Sequence, residues 1–132
     1  MPIAGAKLFV SALLALSTGT AMPAEISGRY CGTAFSGGEL VEVETVLETG
    51  ADGLLSGTYA FADNGETTEG TLREYTKQSD DTRTLVWIDR YGTGLLTVQF
   101  DDRRSSFAGL WGVSVYAPAY RWDGRRCETP IV

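Results

Sequence analysis

The chain has 132 residues, of which 17 are acidic, 11 are basic and none is histidine, so its formal net charge is −6. The negative charge argues against nucleic acid binding, because phosphate contacts need Lys and Arg side chains gathered on one face. Without histidine the chain lacks the commonest general base, the usual catalytic triads and most zinc sites. We therefore predict neither an enzyme nor a bound cofactor or metal.

Residues 1–24 have the pattern of a secretory signal peptide. A lysine precedes the apolar stretch from Leu8 to Leu16, and small residues lead to two candidate cleavage sites, after Ala21 and after Ala24. The apolar stretch is shorter than the roughly 20 residues of a transmembrane helix, which disfavours the alternative of an N-terminal anchor. We predict a single exported domain at residues 25–132, periplasmic or secreted, with no membrane attachment after cleavage.

Short strand-like stretches separated by turn residues follow along this domain. They lie at residues 26–30, 40–48, 54–62, 69–75, 84–91, 95–100, 107–111 and 119–123. Asp63-Asn64-Gly65 is a turn of the hairpin type. Because no stretch shows a helical period with caps, the pattern predicts an all-β domain, a small eight-stranded antiparallel up-and-down barrel.

Four of the strands carry a glycine two residues before a large apolar side chain. The four sequences are ISGRY (26–30), LSGTY (55–59), TEGTL (68–72) and FAGLW (107–111). Residues i and i+2 of a strand project to the same face, so each glycine is expected to make room where its large partner points. A sheet that curls tightly around a filled interior needs this combination.

Cys31 and Cys127 are the two cysteines of the chain. In an exported protein we expect them to form one disulfide, with two free thiols as the alternative. The bond would join the first strand to the segment after the last strand, and these are neighbours in a closed barrel. Cys31 is out of phase with Tyr30, which places its side chain on the outer face.

The run ADGLLSGTYAFA at residues 51–62, with ISGRY, TEGTL and the TLVW at residues 84–87, resembles the avidin/streptavidin barrels. In that family G-T-W, A-D-G-x-L-x-G-T-Y and T-V-A-W occur in the same order with similar spacing. The resemblance covers most of residues 26–111 and implies an avidin/calycin-like barrel with a ligand at its mouth. It implies ligand contacts by Tyr59, Trp87 and Trp111.

Other ligand contacts of the family are only partly kept. Ser36 could stand where the family has a polar contact to the ligand, but Gly32 replaces its first-strand asparagine and Phe61 replaces a serine. The Ser/Thr pair of the sixth strand is replaced by apolar residues near Leu95 and Leu96, and the last-strand aspartate has only Asp123 as a loose counterpart. These replacements disfavour biotin, because a buried polar ligand group would face apolar walls.

The inward-facing aromatic residues are the best candidates for function. They are Tyr30, Tyr59, Phe61, Trp87 and Trp111. Aromatic-lined concavities are typical of small-molecule sites, but small barrels are also often filled by such side chains. We take Tyr30, Tyr59, Trp87 and Trp111 as candidate ligand-binding residues and leave both interpretations open.

Two hypotheses of function follow. The first is an exported, non-catalytic binding protein that holds a small apolar or amphipathic ligand. The alternative is an inhibitor or interaction protein whose acidic surface grips a basic partner such as a lysozyme or a protease. Glu42 and Glu44 would serve that surface, since strand alternation places them outside rather than in a catalytic pair. Val86 and Ile88, apolar on an outward face, indicate a contact surface for a homo-oligomer.

Overall fold

A computed structural model describes residues 25–113 and 119–128, and this part of the chain is built from strands and turns without a helix. The strands are β1 (Gly28–Ser36), β2 (Glu39–Thr49), β3 (Leu55–Asp63), β4 (Glu66–Glu74), β5 (Thr82–Asp89), β6 (Gly92–Phe100), β7 (Ser106–Val113), β8 (Tyr120–Arg121) and β9 (Gly124–Arg126). The predicted signal peptide lies outside the described residues. Within them, no helix is long and apolar enough to cross a membrane.

Side-chain alternation explains why these segments form strands around one core. In β5, Arg83, Leu85 and Trp87 are buried, whereas Ile88 is exposed. The same alternation runs through the other long strands, since each places every second residue on the inner face. The buried side chains form one continuous core inside the sheet.

The sheet closes on itself. Each strand from β1 to β7 pairs antiparallel with the next along the chain, and β9 pairs with both β1 and β7. The predicted eight-stranded antiparallel up-and-down barrel is therefore confirmed, with β8 and β9 together serving as the eighth strand.

The eighth strand differs from the continuous segment predicted at residues 119–123. Its first part, β8, pairs with β7 alone, and its second part, β9, bridges β7 and β1. Between them the Trp122 amide donates to the Gly109 carbonyl, and the Asp123 amide donates to the Thr33 carbonyl. The chain thus crosses from one neighbour to the other at Trp122, which lies opposite Ala34.

Among the four glycines of the Gly-x-large pattern, Gly70 makes room for an aromatic ring, and that ring belongs to the neighbouring strand. Tyr59 pairs directly with Gly70, and a Cβ added to Gly70 would lie 2.2 Å from the Tyr59 ring. Trp87 pairs with Gly94, where an added Cβ would lie 2.9 Å from the indole. The expectation that each glycine makes room for a large side chain of its own strand is therefore wrong. At Gly57 and Gly109 the atoms nearest to an added Cβ are the backbone carbonyl oxygens of Val46 and Trp122, so these glycines allow close approach of neighbouring backbone.

A disulfide joins Cys31 to Cys127, with Cα atoms 5.8 Å apart, as predicted. Cys31 is paired with Arg125 across the β1–β9 contact, and the Cys127 amide donates to the Arg29 carbonyl at 3.0 Å. The bond therefore joins the two strands that close the barrel.

One end of the barrel is closed by polar side chains that the protein itself pairs. The Arg83 guanidinium donates to both carboxylate oxygens of Glu74, at 2.8 and 2.7 Å, and to the Gly53 carbonyl at 2.8 Å. Beside this pair, the Tyr30 hydroxyl donates to the Ile26 carbonyl at 2.6 Å, and Arg104 donates to Asp81 at 2.6 Å. The opposite end, where the β1–β2, β3–β4 and β5–β6 turns meet, contains the cavity described next.

Candidate functional site

A cavity of about 400 Å³ occupies the open end of the barrel. Its lining comes from both inner strand faces and hairpin turns: Ala34, Ser36, Gly37, Val43, Tyr59, Phe61, Asp63, Asn64, Trp87, Asp89, Tyr91, Trp111, Val113 and Trp122. Tyr59 and Trp87 belong to the buried core and also border this cavity. The closed half is packed, and the open half encloses space.

Two pairs of aromatic rings form much of the cavity wall. The Trp87 and Trp111 rings lie 5.7 Å apart and almost perpendicular, at 87°. Tyr59 and Trp122 lie 4.8 Å apart at 69°. Such edge-to-face contacts stabilise rings in fixed orientations, so the cavity has a preformed aromatic surface.

Three of the four candidate ligand-binding residues line this cavity, namely Tyr59, Trp87 and Trp111. Tyr30 is fully buried at the closed end, where its ring packs edge-on against Phe100 and Phe107. Tyr30 and Tyr59 are both paired with Thr45, so they start from the same row of the sheet. Their rings then point toward opposite ends, which strand register does not determine.

Sequence reasoning missed Trp122, Asp89 and Tyr91. Trp122 is buried at the cavity wall, and all three tryptophans of the chain line the cavity. Asp89 and Tyr91 close the fifth strand and its hairpin turn, where a charged or aromatic residue has no distinctive pattern.

The three indole N–H groups are all used within the protein. Trp87 Nε1 donates to the Gly112 carbonyl, Trp111 Nε1 to the Phe35 carbonyl and Trp122 Nε1 to the Thr45 hydroxyl, each at 3.0 Å. These bonds fix the ring orientations and leave none of the three indole N–H groups to donate to a ligand.

Two carboxylates and two tyrosine hydroxyls form a polar arc at the cavity rim. The Tyr59 hydroxyl donates to Asp89 Oδ2 at 2.7 Å, and the Tyr91 hydroxyl donates to Asp63 Oδ2 at 2.6 Å. Tyr91 also links the carboxylates, because its backbone amide donates to Asp89 Oδ1 at 2.8 Å. Asp63 further accepts a bond from the Thr68 hydroxyl at 2.7 Å.

These hydrogen bonds shift the titration of the arc. The bonds from Tyr91 and Thr68 hold the pKa of Asp63 below its usual value, because both stabilise the ionised carboxylate. Burial, and then the hydrogen bond to Asp89, raises the pKa of Tyr59. The bond to Asp63 raises the pKa of Tyr91. Both hydroxyls therefore keep their protons and act as donors to the carboxylates.

The positions compared with the avidin family are distributed unevenly around the cavity. Ser36 and Phe61 line it, while Leu96 belongs to the packed core. A Cβ at Gly32 would lie 2.1 Å from the Asp123 carbonyl oxygen, so the barrel has no room for the family's asparagine there. The Asp123 side chain bonds Arg121 and the Gly109 amide rather than lining the cavity.

Glu42 and Glu44, which were predicted to serve an acidic outer surface, differ in exposure and in pairing. Glu44 accepts a bond from Arg29 at 2.7 Å and is mostly covered, whereas Glu42 is exposed. The two side chains thus differ in the charge that they offer to a partner.

No protein-family model matches this chain, and no curated protein matches its sequence.

Proposed function

We propose that this protein is an exported, non-catalytic binding protein that holds a small amphipathic ligand in the open end of its barrel. The cavity of about 400 Å³ carries the proposal, because its size and aromatic lining are those of small-molecule sites. The polar rim and the deeper aromatic wall suit a ligand with a polar end and an apolar body.

The resemblance to avidin supports this assignment in part. Tyr59, Trp87 and Trp111 meet at one cavity, as the resemblance implied for ligand contacts. Gly32 and Asp123 depart from the family's pattern in ways that remove its polar contacts. We therefore propose an avidin-like barrel whose ligand is not biotin.

A binding role rather than catalysis agrees with the chemistry of the lining. Its two carboxylates already accept hydrogen bonds from tyrosine hydroxyls, and within the described residues the lining includes neither a cysteine nor a basic side chain. Export agrees with the Cys31–Cys127 disulfide, since such bonds form and persist in oxidising compartments.

Tryptophan fluorescence gives a direct test, because all three tryptophans line the cavity. We expect at least one member of a panel of small aromatic molecules, biotin and fatty acids to change the emission saturably. Ala34→Leu should abolish that change by filling the cavity, whereas Ala108→Leu, on the exposed face of β7, should preserve it. Thermal melting of both variants would show that they fold.

The alternative partner, a basic protein, gives a different result in the same assay. Its binding to the acidic outer surface would weaken with salt, since the Debye length falls to about 8 Å at physiological ionic strength. Charge reversal at the exposed Glu42 should weaken that binding, while Trp111→Phe should not. Salt-sensitive binding of a cationic lysozyme, with no response to any small molecule, would contradict the ligand proposal.

A homodimer also stays a prediction. Ile88 is exposed on the outer face of β5, beside the half-buried Val86. Sedimentation of the protein and of an Ile88→Lys variant would test whether this face joins two copies.

A further inference from the structure

We propose that the ligand is a small organic cation, with its ammonium group at the rim between Asp63 and Asp89 and its apolar body against the indole rings. This inference rests on the proposed function and specifies the chemistry of its ligand. It is carried by how the cavity distributes donors, charges and ring faces.

The cavity has few hydrogen-bond donors left to offer. The three indole N–H groups donate to protein oxygens, and the Tyr59 and Tyr91 hydroxyls donate to the rim carboxylates. Among the described lining side chains, the remaining donors are the neutral Ser36 hydroxyl and Asn64 amide. An anionic ligand needs several hydrogen-bond donors or a positive charge from the protein, and the described lining side chains supply neither.

The charge of the lining points the same way. Asp63 and Asp89 are its two acidic residues, and the described lining contains no Lys or Arg. Arg90 is not part of the lining, although its guanidinium lies 5.2 Å from the centre of the Tyr91 ring. The carboxylates keep acceptor capacity, since each ionised group has about four lone-pair positions and the rim tyrosines occupy only part of them.

The aromatic walls complete a site for a positive charge. Four aromatic side chains border this one space: Tyr59, Trp87, Trp111 and Trp122. Trp111 is half-buried and is the most accessible of them, whereas the other three are 4% to 5% exposed. Ring faces carry negative electrostatic potential, so a cation held over them is attracted, and quaternary ammonium groups are bound in such aromatic cages. The two carboxylates would hold the ammonium group at the rim, and the aromatic wall would contact the apolar body and the carbon groups next to the nitrogen, which share its positive charge.

The experiment uses three probes of similar shape and different charge. They are phenyltrimethylammonium, its uncharged isostere tert-butylbenzene, and the anion benzenesulfonate, each titrated against the full-length mature protein by tryptophan fluorescence and calorimetry. We expect the cation to bind at least about tenfold more tightly than its uncharged isostere, and the anion not to bind.

The outcomes separate this inference from the function on which it rests. Equal affinity for the cation and tert-butylbenzene, or tighter binding of benzenesulfonate, would overturn the cation assignment while leaving a small-molecule cavity. Failure of all three probes, with a response to another member of the panel used to test the proposed function, would overturn the cation assignment alone. Failure of the three probes and of the whole panel would overturn both. A cationic lysozyme added as competitor distinguishes a free ammonium compound from a lysine side chain of a protein. We expect no displacement, and displacement would overturn the small-ligand assignment.

Charge-removing variants locate the ammonium group. Asp63→Asn and Asp89→Asn should each weaken binding of the cation by about threefold to tenfold. An asparagine oxygen still accepts the tyrosine hydroxyl, so binding of the uncharged isostere should not change. Asp102→Asn, the same change in an exposed turn at the closed end, is the matched control. Equal loss in all three variants, or no loss at Asp63 and Asp89, would contradict the proposed placement.

Discussion

The Glu74–Arg83 ion pair at the closed end allows a quantitative test of how this barrel is sealed. The two side chains are 0% and 3% exposed, and their closest contact is 2.7 Å. Arg83 bonds the Glu74 carboxylate twice, and Glu74 also accepts the Leu55 amide at 2.9 Å. Both charges are therefore removed from water and depend on each other.

Replacing Arg83 by Met preserves much of the side-chain volume but leaves the Glu74 carboxylate buried without its cation. We expect Arg83→Met to lower the free energy of unfolding by about 3–5 kcal/mol, because removal of one partner strands a buried charge. The double variant Glu74→Leu/Arg83→Met should be more stable than Arg83→Met alone. Its remaining deficit should reflect the Leu55 amide and the Gly53 carbonyl, each of which costs about 1–3 kcal/mol when unpaired.

Urea unfolding followed by circular dichroism would measure the free energy of unfolding of the wild type and of these variants. Arg121→Met is the control, because Arg121 pairs with Asp123 but its side chain is 69% exposed. We expect that variant to lose about 0–1 kcal/mol. The reasoning would be refuted by a loss for Arg83→Met as small as that of the control, or by a double variant less stable than Arg83→Met. Either result would show that Glu74 and Arg83 do not depend on each other for stabilisation away from water.

Three further predictions concern the buried core, the disulfide and the pH dependence that Tyr59 gives to stability. Trp87→Ala should lower stability by about 3–5 kcal/mol, and urea unfolding showing a loss under about 1 kcal/mol would place Trp87 outside the core. Mass spectrometry of exported protein should find Cys31 linked to Cys127 and a start near Met22 or Glu25, whereas two free thiols would contradict the disulfide that joins the strands closing the barrel. Because the folded pKa of Tyr59 is raised, its contribution to stability is full below the unfolded value near 10 and is lost as pH rises above it. Urea unfolding across alkaline pH should show a shallower decline in Tyr59→Phe, and an unchanged slope would contradict this.

Much of the architecture followed from local patterns. Alternating side chains identified the strands, and Asn64-Gly65 identified a hairpin turn whose two residues both adopt positive φ, at 52° and 84°. The cysteine positions predicted the disulfide, because the first and last strands of an up-and-down barrel must pair to close it. Each of these inferences depends on neighbours in sequence or on a topology that short turns leave little freedom to vary.

The interrupted eighth strand depended on tertiary contacts. Trp122 lies where the chain passes from β7 to β1, and its position between Gly109 and Ala34 is set by barrel closure. A short polar segment with one tryptophan gives no strand pattern strong enough to reveal that break.

The sequence by itself assigned Tyr30, Tyr59, Trp87 and Trp111 to the inner face, because strand alternation has a period of two, but it did not identify Trp122. It did not determine that Tyr30 closes one end while Tyr59 borders a cavity at the other, since both start opposite Thr45. Nor did it bring Asp63 and Asp89 together at the rim. They lie on different hairpins and meet through Tyr91, so only the closed barrel decides their proximity. Alternation assigns a face to each side chain, but the direction along the barrel and contacts between hairpins arise from packing of the whole sheet.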